Sequence, residues 1–149
     1  MEFMLEAARL AKEGVLARRG GPFGAVVVRQ GTIVGRGCNR VLETADPTAH
    51  AEIEAIRDAC HALGSHHLPG CVLFTTCEPC PMCLAAAHWA RLDRIEYALT
   101  RADAARIGFQ DEDLYAAMAE PRLPVEHVAS PAAAEAFRLW EELPDRETY

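Results

Sequence analysis

Apolar positions recur at helical spacing over residues 2–18, where Met4, Ala8, Ala11 and Val15 form one stripe, and this predicts a helix. Gly20-Gly21-Pro22 ends it. Two short runs rich in β-branched residues follow, Ala25-Val26-Val27-Val28 and Thr32-Ile33-Val34, joined across Gln30-Gly31, the signal of a hairpin. Helical spacing returns over 49–63, with Ile53, Ile56, Cys60 and Leu63 apolar. Cys71-Val72-Leu73-Phe74-Thr75 is a continuous run, as a strand covered on both faces requires. A helix from Cys80 to about Arg91, a strand over Arg94–Leu99 and a helix over 111–119 come next. A short strand over 125–128 precedes a last helix from Ala132 to Leu143. The tail from Pro144 to Tyr149 is polar and frays unless it docks. A hairpin followed by alternating helices and strands predicts an α/β fold, a three-layer α/β/α sandwich around a mixed five-stranded sheet.

Composition narrows this picture. At 149 residues and 50% hydrophobic content, the chain fits one domain over residues 1–149, of a size that buries roughly 68–70% of its unfolded surface. The net charge is −7. Its longest basic run is Arg18-Arg19, which argues against a nucleic-acid footprint. Six cysteines, three of them between Cys77 and Cys83, fit metal ligands and core thiols in a reducing compartment better than a disulfide frame. Cys38, Cys60 and Cys71 sit in apolar contexts and read as small buried hydrophobes. The N-terminus carries acids early and lacks the pattern of a signal peptide. No apolar run reaches membrane-spanning length. A cytoplasmic protein without a membrane partner is expected.

The candidate chemistry lies in Cys77-Glu78-Pro79-Cys80-Pro81-Met82-Cys83. Pro81 suits the first turn of a helix, where a missing N–H costs nothing. Residues three apart share a helix face, so the Cys80 and Cys83 sulfurs point the same way at the positive end of the helix dipole. That end favours thiolates, the metal-binding form. Cys77-x-x-Cys80 is a second legal pair, and spacing alone leaves it open. Upstream stands Thr48-Ala49-His50-Ala51-Glu52. His-x-Glu followed by Pro-Cys-x-x-Cys is the described signature of zinc-dependent deaminases. One imidazole and two thiolates give three zinc ligands and leave one position for water, the catalytic arrangement, whereas structural zinc is normally closed by four. Residues two apart do not share a helix face, so His50 and Glu52 converge only if they sit at a helix entry set by Pro47 and Thr48.

With these motifs the chain resembles the cytidine deaminase-like superfamily, and within it the bacterial guanine deaminases. The resemblance runs nearly end to end. It includes Gly20-Gly21-Pro22-Phe23-Gly24-Ala25, Asp46 to Glu52, Cys77 to Cys83, Trp89-Ala90-Arg91, Asp103-Ala104-Ala105, Gly108-Phe109-Gln110-Asp111 and a terminal tyrosine. It departs from the pattern at Ala85, where a glycine is usual, and at Gln110, where an aspartate is common. The resemblance implies Zn2+ on His50, Cys80 and Cys83, with Glu52 as proton carrier and Asp111 as a second acid. It implies substrate contacts from Asn39, Phe23, Ala51, Trp89, Glu78 and Tyr149. It further implies a homodimer in which the C-terminal segment, about 131–149, is swapped so that Tyr149 closes the partner's site.

Plainer readings stand beside these. Asn39 suits a turn, Asp111 a helix cap, and Phe23 and Trp89 a core. The remaining histidines have no spacing that joins them to the motif. Rival substrates are cytosine, an aminated triazine, a nucleoside or transfer-RNA adenosine, the last weakened by the acidic charge. A rival of another class is a non-catalytic, zinc-stabilised dimerisation module, which predicts a fourth protein ligand.

Overall fold

The computed structural model describes residues 2–109, 112–119, 137, 139–142 and 144. Two compact units divide the chain, Met1–Tyr115 and Ala116–Tyr149. In the first, α1 (Glu2–Leu16) leads into β1 (Gly24–Arg29) and β2 (Thr32–Cys38). The short α2 (Val41–Thr44) precedes α3 (Ala51–Leu63), β3 (Cys71–Cys77), α4 (Pro81–Trp89), β4 (Arg94–Leu99) and α5 (Arg101–Arg106). The last helix with defined bounds, α6 (Glu112–Ala119), begins in the first unit and ends in the second. In the second unit, residues 137 and 139–142 are helical.

The sheet of the described residues has four strands in the order β2-β1-β3-β4. β1 is antiparallel to both β2 and β3, while β3 and β4 are parallel. The sheet is therefore mixed. Antiparallel β1 and β2 need only a tight turn, formed by Gln30 (φ 49°) and Gly31 (φ 76°). Parallel β3 and β4 need a crossover, and α4 is that crossover. The predicted fifth strand at 125–128 lies outside the described residues.

Side-chain alternation in β1 explains why five successive residues, Gly24 to Val28, are buried. Val26 and Val28 join Phe74 under Phe3, Met4 and Leu10 of α1. Ala25 and Val27 face the other way, against Ala51, Ala55, Ile56 and Ala59 of α3, with Leu73 and Ala87 completing that layer. Helices thus cover both faces. Burying a side chain such as the fully enclosed Leu73 contributes roughly 1.5–3 kcal/mol. Cys71 belongs to this core as the sequence suggests, and burial pushes the thiols of Cys71 and half-buried Cys60 up. No described helix is long and apolar enough to cross a membrane.

One contact places α3. A Cβ on Gly37 of β2 would lie 2.2 Å from the Ala51 carbonyl oxygen and 2.5 Å from the Ala55 nitrogen. Only a glycine lets the first turn of α3 rest directly on the sheet backbone. That turn carries His50 and Glu52, so the packing sets where they point.

Two elements were not read from the sequence. α2 is a single turn. α5 buries no residue, so apolar periodicity could not announce it. Its signal was a capping box, in which Thr100 accepts from the Asp103 N–H and the Asp103 carboxylate accepts from the Thr100 N–H.

Candidate active site

Two helix N-termini meet beside the carboxyl end of β3. His50 is the N-cap of α3 with extended backbone (φ −73°, ψ 155°), and Cys80 is the N-cap of α4 (φ −69°, ψ 167°). Pro81 opens α4, and Cys83 follows one turn in. The entry to α3 is tied by Asp46, whose carboxylate accepts from the Thr48 N–H and hydroxyl, both at 2.7 Å. The His50 N–H then donates to the Thr48 carbonyl at 2.7 Å. His50 thus lies just before the helix and Glu52 just inside it. This is how two residues of unfavourable helical spacing converge.

The Nδ1 of His50 lies 3.6 Å from Cys80 Sγ and 3.5 Å from Cys83 Sγ. All three donor atoms fall within 4.8 Å of one another, and this is the one such cluster among the described residues. Zinc bonds of about 2.3 Å to sulfur and about 2.0–2.1 Å to nitrogen, at a tetrahedral angle, set a nitrogen–sulfur edge of about 3.6 Å. The donor set therefore fits zinc in both chemistry and spacing. Cys77 does not join it. Its Sγ faces the Thr100 carbonyl oxygen at 3.6 Å, which decides between the two cysteine pairs in favour of Cys80 and Cys83.

The electrostatics suit that role. A hydrogen bond from Cys83 draws the Cys80 thiol down to about 4, helped by His50. The partner thiol, Cys83, is pushed up by Cys80 and by burial. The contact with Cys80 raises His50. Glu52 is 6% exposed, and burial pushes its carboxyl above the usual carboxylate range, with the Cys80 charge adding to the effect. A carboxyl with raised proton affinity beside the donor triad is suited to carrying a proton.

A cavity of about 160 Å³ opens over these groups, lined by His50, Glu52, Cys80, Phe23, Asn39 and Glu78 among others. Of the residues expected at the site, these six therefore come together. Ala51 is fully buried in the core at the start of α3 and does not line the cavity. Trp89 ends α4 at 65% exposure, also outside the lining. Asp111 and Tyr149 lie outside the described residues.

Sequence reasoning missed part of the wall. Arg101, Ala104, Phe109 and Leu114 line the cavity too. Phe109 meets Phe23 edge-on, with ring centroids 5.0 Å apart and an interplanar angle of 85°. Arg101 pairs with Glu78 at 3.1 Å and lies 4.4 Å over the Tyr115 ring, while the Glu78 carboxylate also accepts the Arg101 N–H. The Tyr115 hydroxyl donates to the Pro79 carbonyl at 3.4 Å. The capping box at Thr100 was the one sequence signal that could have drawn attention to Arg101. Phe109 stood in a quoted motif but had no periodicity to place it.

Comparison with known proteins agrees with this geometry. Residues 1–99 match the cytidine and deoxycytidylate deaminase zinc-binding region. The chain is 44% identical to guanine deaminase of Bacillus subtilis over 151 residues, covering 99% of this chain and 97% of that one. A tRNA-specific adenosine deaminase of Agrobacterium fabrum is 50% identical, but over 97 residues, covering 65% of this chain and 61% of the relative. The crystal structure of the Bacillus subtilis guanine deaminase superposes with a TM-score of 0.93 at 43% identity, covering 99% of this chain and 97% of that one. The guanine deaminase of Nitrosomonas europaea superposes at 0.70 with 33% identity, over 74% of this chain and 64% of that one. The donor triad, the buried glutamate and these matches lead to one conclusion: the chain belongs to the zinc-binding cytidine and deoxycytidylate deaminase family.

Proposed function

We propose that this protein deaminates a free nucleobase hydrolytically, converting guanine and water to xanthine and ammonia. The observation that carries the substrate is the extent of the likeness. It covers 99% of the chain for a guanine deaminase but 65% for the tRNA-specific enzyme. The acidic net charge of −7 points the same way, since following a phosphate backbone needs basic residues.

His50, Cys80 and Cys83 hold the zinc. Bound zinc supplies a water whose pKa falls to about 7. Glu52 takes one proton from the attacking water and delivers it to a ring nitrogen. It then takes the second from the hydroxyl left on the attacked carbon and hands it to the departing amine, so that a carbonyl forms as the C–N bond breaks and ammonia leaves. Its burial raises its proton affinity above that of a solvated carboxylate, which suits a proton carrier. Phe23 and Phe109 offer aromatic surface to a flat ring, and Asn39 hydrogen-bonds its edge. Glu78, held by Arg101, shapes the wall beside Cys80.

The finer assignments rest on family likeness. One deaminase domain spans residues 1–149, a three-layer sandwich with a fifth strand at 125–128. Asp111 acts as a second acid, and Trp89 and Tyr149 help close the site. The enzyme is a cytoplasmic homodimer in which residues 131–149 are exchanged, so Tyr149 comes from the partner.

The test is ammonia release from guanine, cytosine and adenine by protein of known zinc content. Turnover of guanine alone is expected. Turnover of cytosine or adenine in its place would overturn the substrate, and no turnover at one zinc per chain would remove all three bases and move the search to other aminated heterocycles and nucleosides.

A further inference from the structure

We propose that the Gly20-Gly21 turn determines specificity by fixing which end of the Asn39 amide faces the cavity. This rests on the nucleobase reading above. Asn39 is 5% exposed and lines the cavity. Its Oδ1 accepts two backbone hydrogen bonds, from the Gly21 N–H at 3.1 Å and from the Val41 N–H at 3.2 Å. Its own backbone N–H donates to the Phe23 carbonyl at 3.0 Å, which joins this residue to the turn at a second point. With Oδ1 so engaged, the polar atom left for the cavity is Nδ2. The pocket therefore presents a donor there, and a ring ligand must answer with an acceptor, a carbonyl oxygen or an unprotonated ring nitrogen. A ring that brings an amino group to that point leaves two donors facing each other. Such a mismatch in a desolvated site is strongly rejected.

The turn maintains this arrangement by lack of bulk. A Cβ on Gly20 would fall 2.0 Å from Asn39 Oδ1 and 2.9 Å from the Asn39 carbonyl oxygen. Neither Gly20 nor Gly21 has a left-handed backbone, so the requirement is room. At Gly21 a Cβ would come within 2.9 Å of Phe109 Cζ and Phe23 Cε2. One dipeptide thus backs both the polar contact and the aromatic pair. Gly20 touches no substrate and is a positioning residue.

The chain offers a convenient probe. Asn39 is its only asparagine, and the only other side-chain amides are Gln30 and Gln110. In the zinc-loaded full chain, ¹⁵N relaxation is expected to show the Asn39 NH₂ as rigid as the backbone, with exposed Gln30 as the mobile reference. Gly20→Ala should loosen it, with one zinc per chain retained. A mobile Asn39 amide in the wild type, or an unchanged one in Gly20→Ala, overturns the proposal whatever the substrate is.

The kinetic arm uses whichever base the wild type turns over. Gly20→Ala should raise KM about tenfold with kcat little changed, as loss of one oriented hydrogen bond predicts. Asn39→Asp keeps an acceptor for both backbone bonds but turns an acceptor to the cavity, so KM should rise about 100-fold at full zinc content. This second variant carries the test if Gly20→Ala does not fold. An Asn39→Asp KM within about twofold of the wild type overturns the proposal. Failure of the wild type on guanine would instead remove the substrate reading and leave the relaxation result to decide the turn.

Discussion

The two walls of the cavity are built differently. On one side, His50, Glu52 and Cys80 come from the starts of two helices packed against the sheet, and Glu52 is buried. On the other, Phe109 is 45% exposed and Leu114 52%, and Arg101 sits on a helix that buries nothing. The first wall inherits its geometry from the core. The second depends on a ring pair, an ion pair and a capping box. Bond-making groups need sub-ångström placement, which a packed helix start supplies. Groups that choose the ligand need shape and tolerate adjustment, which suits short surface elements.

Glu52→Gln breaks the comparison most directly. It preserves volume and removes the proton carrier, so kcat should fall by about 10²–10⁴. Zinc measured by mass spectrometry should remain at one per chain. Retained turnover would refute the mechanism, and lost zinc would make Glu52 a structural partner of the triad.

Gly37→Ala attacks the same wall from beneath, without touching a reacting group. Its Cβ meets the Ala51 carbonyl, so the α3 entry must lift from the sheet. Overpacking of this kind costs typically about 1–3 kcal/mol, to be read in urea unfolding of the zinc-loaded protein. Zinc should also be lost to a competing chelator more readily than in the wild type. Unchanged stability would mean that the core does not set the geometry of the first wall.

The same contrast explains what could be read from the sequence. Periodicity revealed the packed elements, because α1, α3, β1 and β3 each bury a face and must repeat apolar residues to do so. Cys80 and Cys83 were legible because Cys-x-x-Cys with Pro81 inside it marks a helix start, although Cys80 proves to be the extended N-cap of α4 rather than a residue on its helical face. The convergence of His50 and Glu52 was not, since an N-cap has extended backbone and obeys no helical spacing. Arg101 and Phe109 were invisible because they reach the cavity through tertiary contacts on elements without a buried stripe.

Phe109→Ala sharpens the comparison from the exposed wall. It removes half of an edge-on aromatic pair, an interaction worth about 0.5–1.5 kcal/mol beyond area. KM for guanine should rise several-fold to about tenfold, with kcat and zinc content close to wild type. A large drop in kcat instead would place Phe109 with the bond-making wall and erase the distinction.

The smallest effect is expected far from both walls, on the face covered by α1. Glu6 bonds Arg9 of its own helix at 2.7 and 2.8 Å and reaches Arg36 of β2 at 3.2 Å. The Arg9 hydrogen bonds, joined by that of Arg36, hold its carboxyl down at about 2. A folded pKa below the unfolded one means that the stabilisation is full above about 4.5 and is lost as pH falls towards 2. Both arginines are about half exposed, so solvent screening leaves the network only weakly stabilising. Glu6→Gln should therefore unfold slightly more easily in urea at pH 7, with turnover unaltered. The gap to wild type should narrow steadily between pH 4.5 and pH 2.5. A gap that stays constant over that range would assign the effect to packing of the Glu6 stem rather than to its charge.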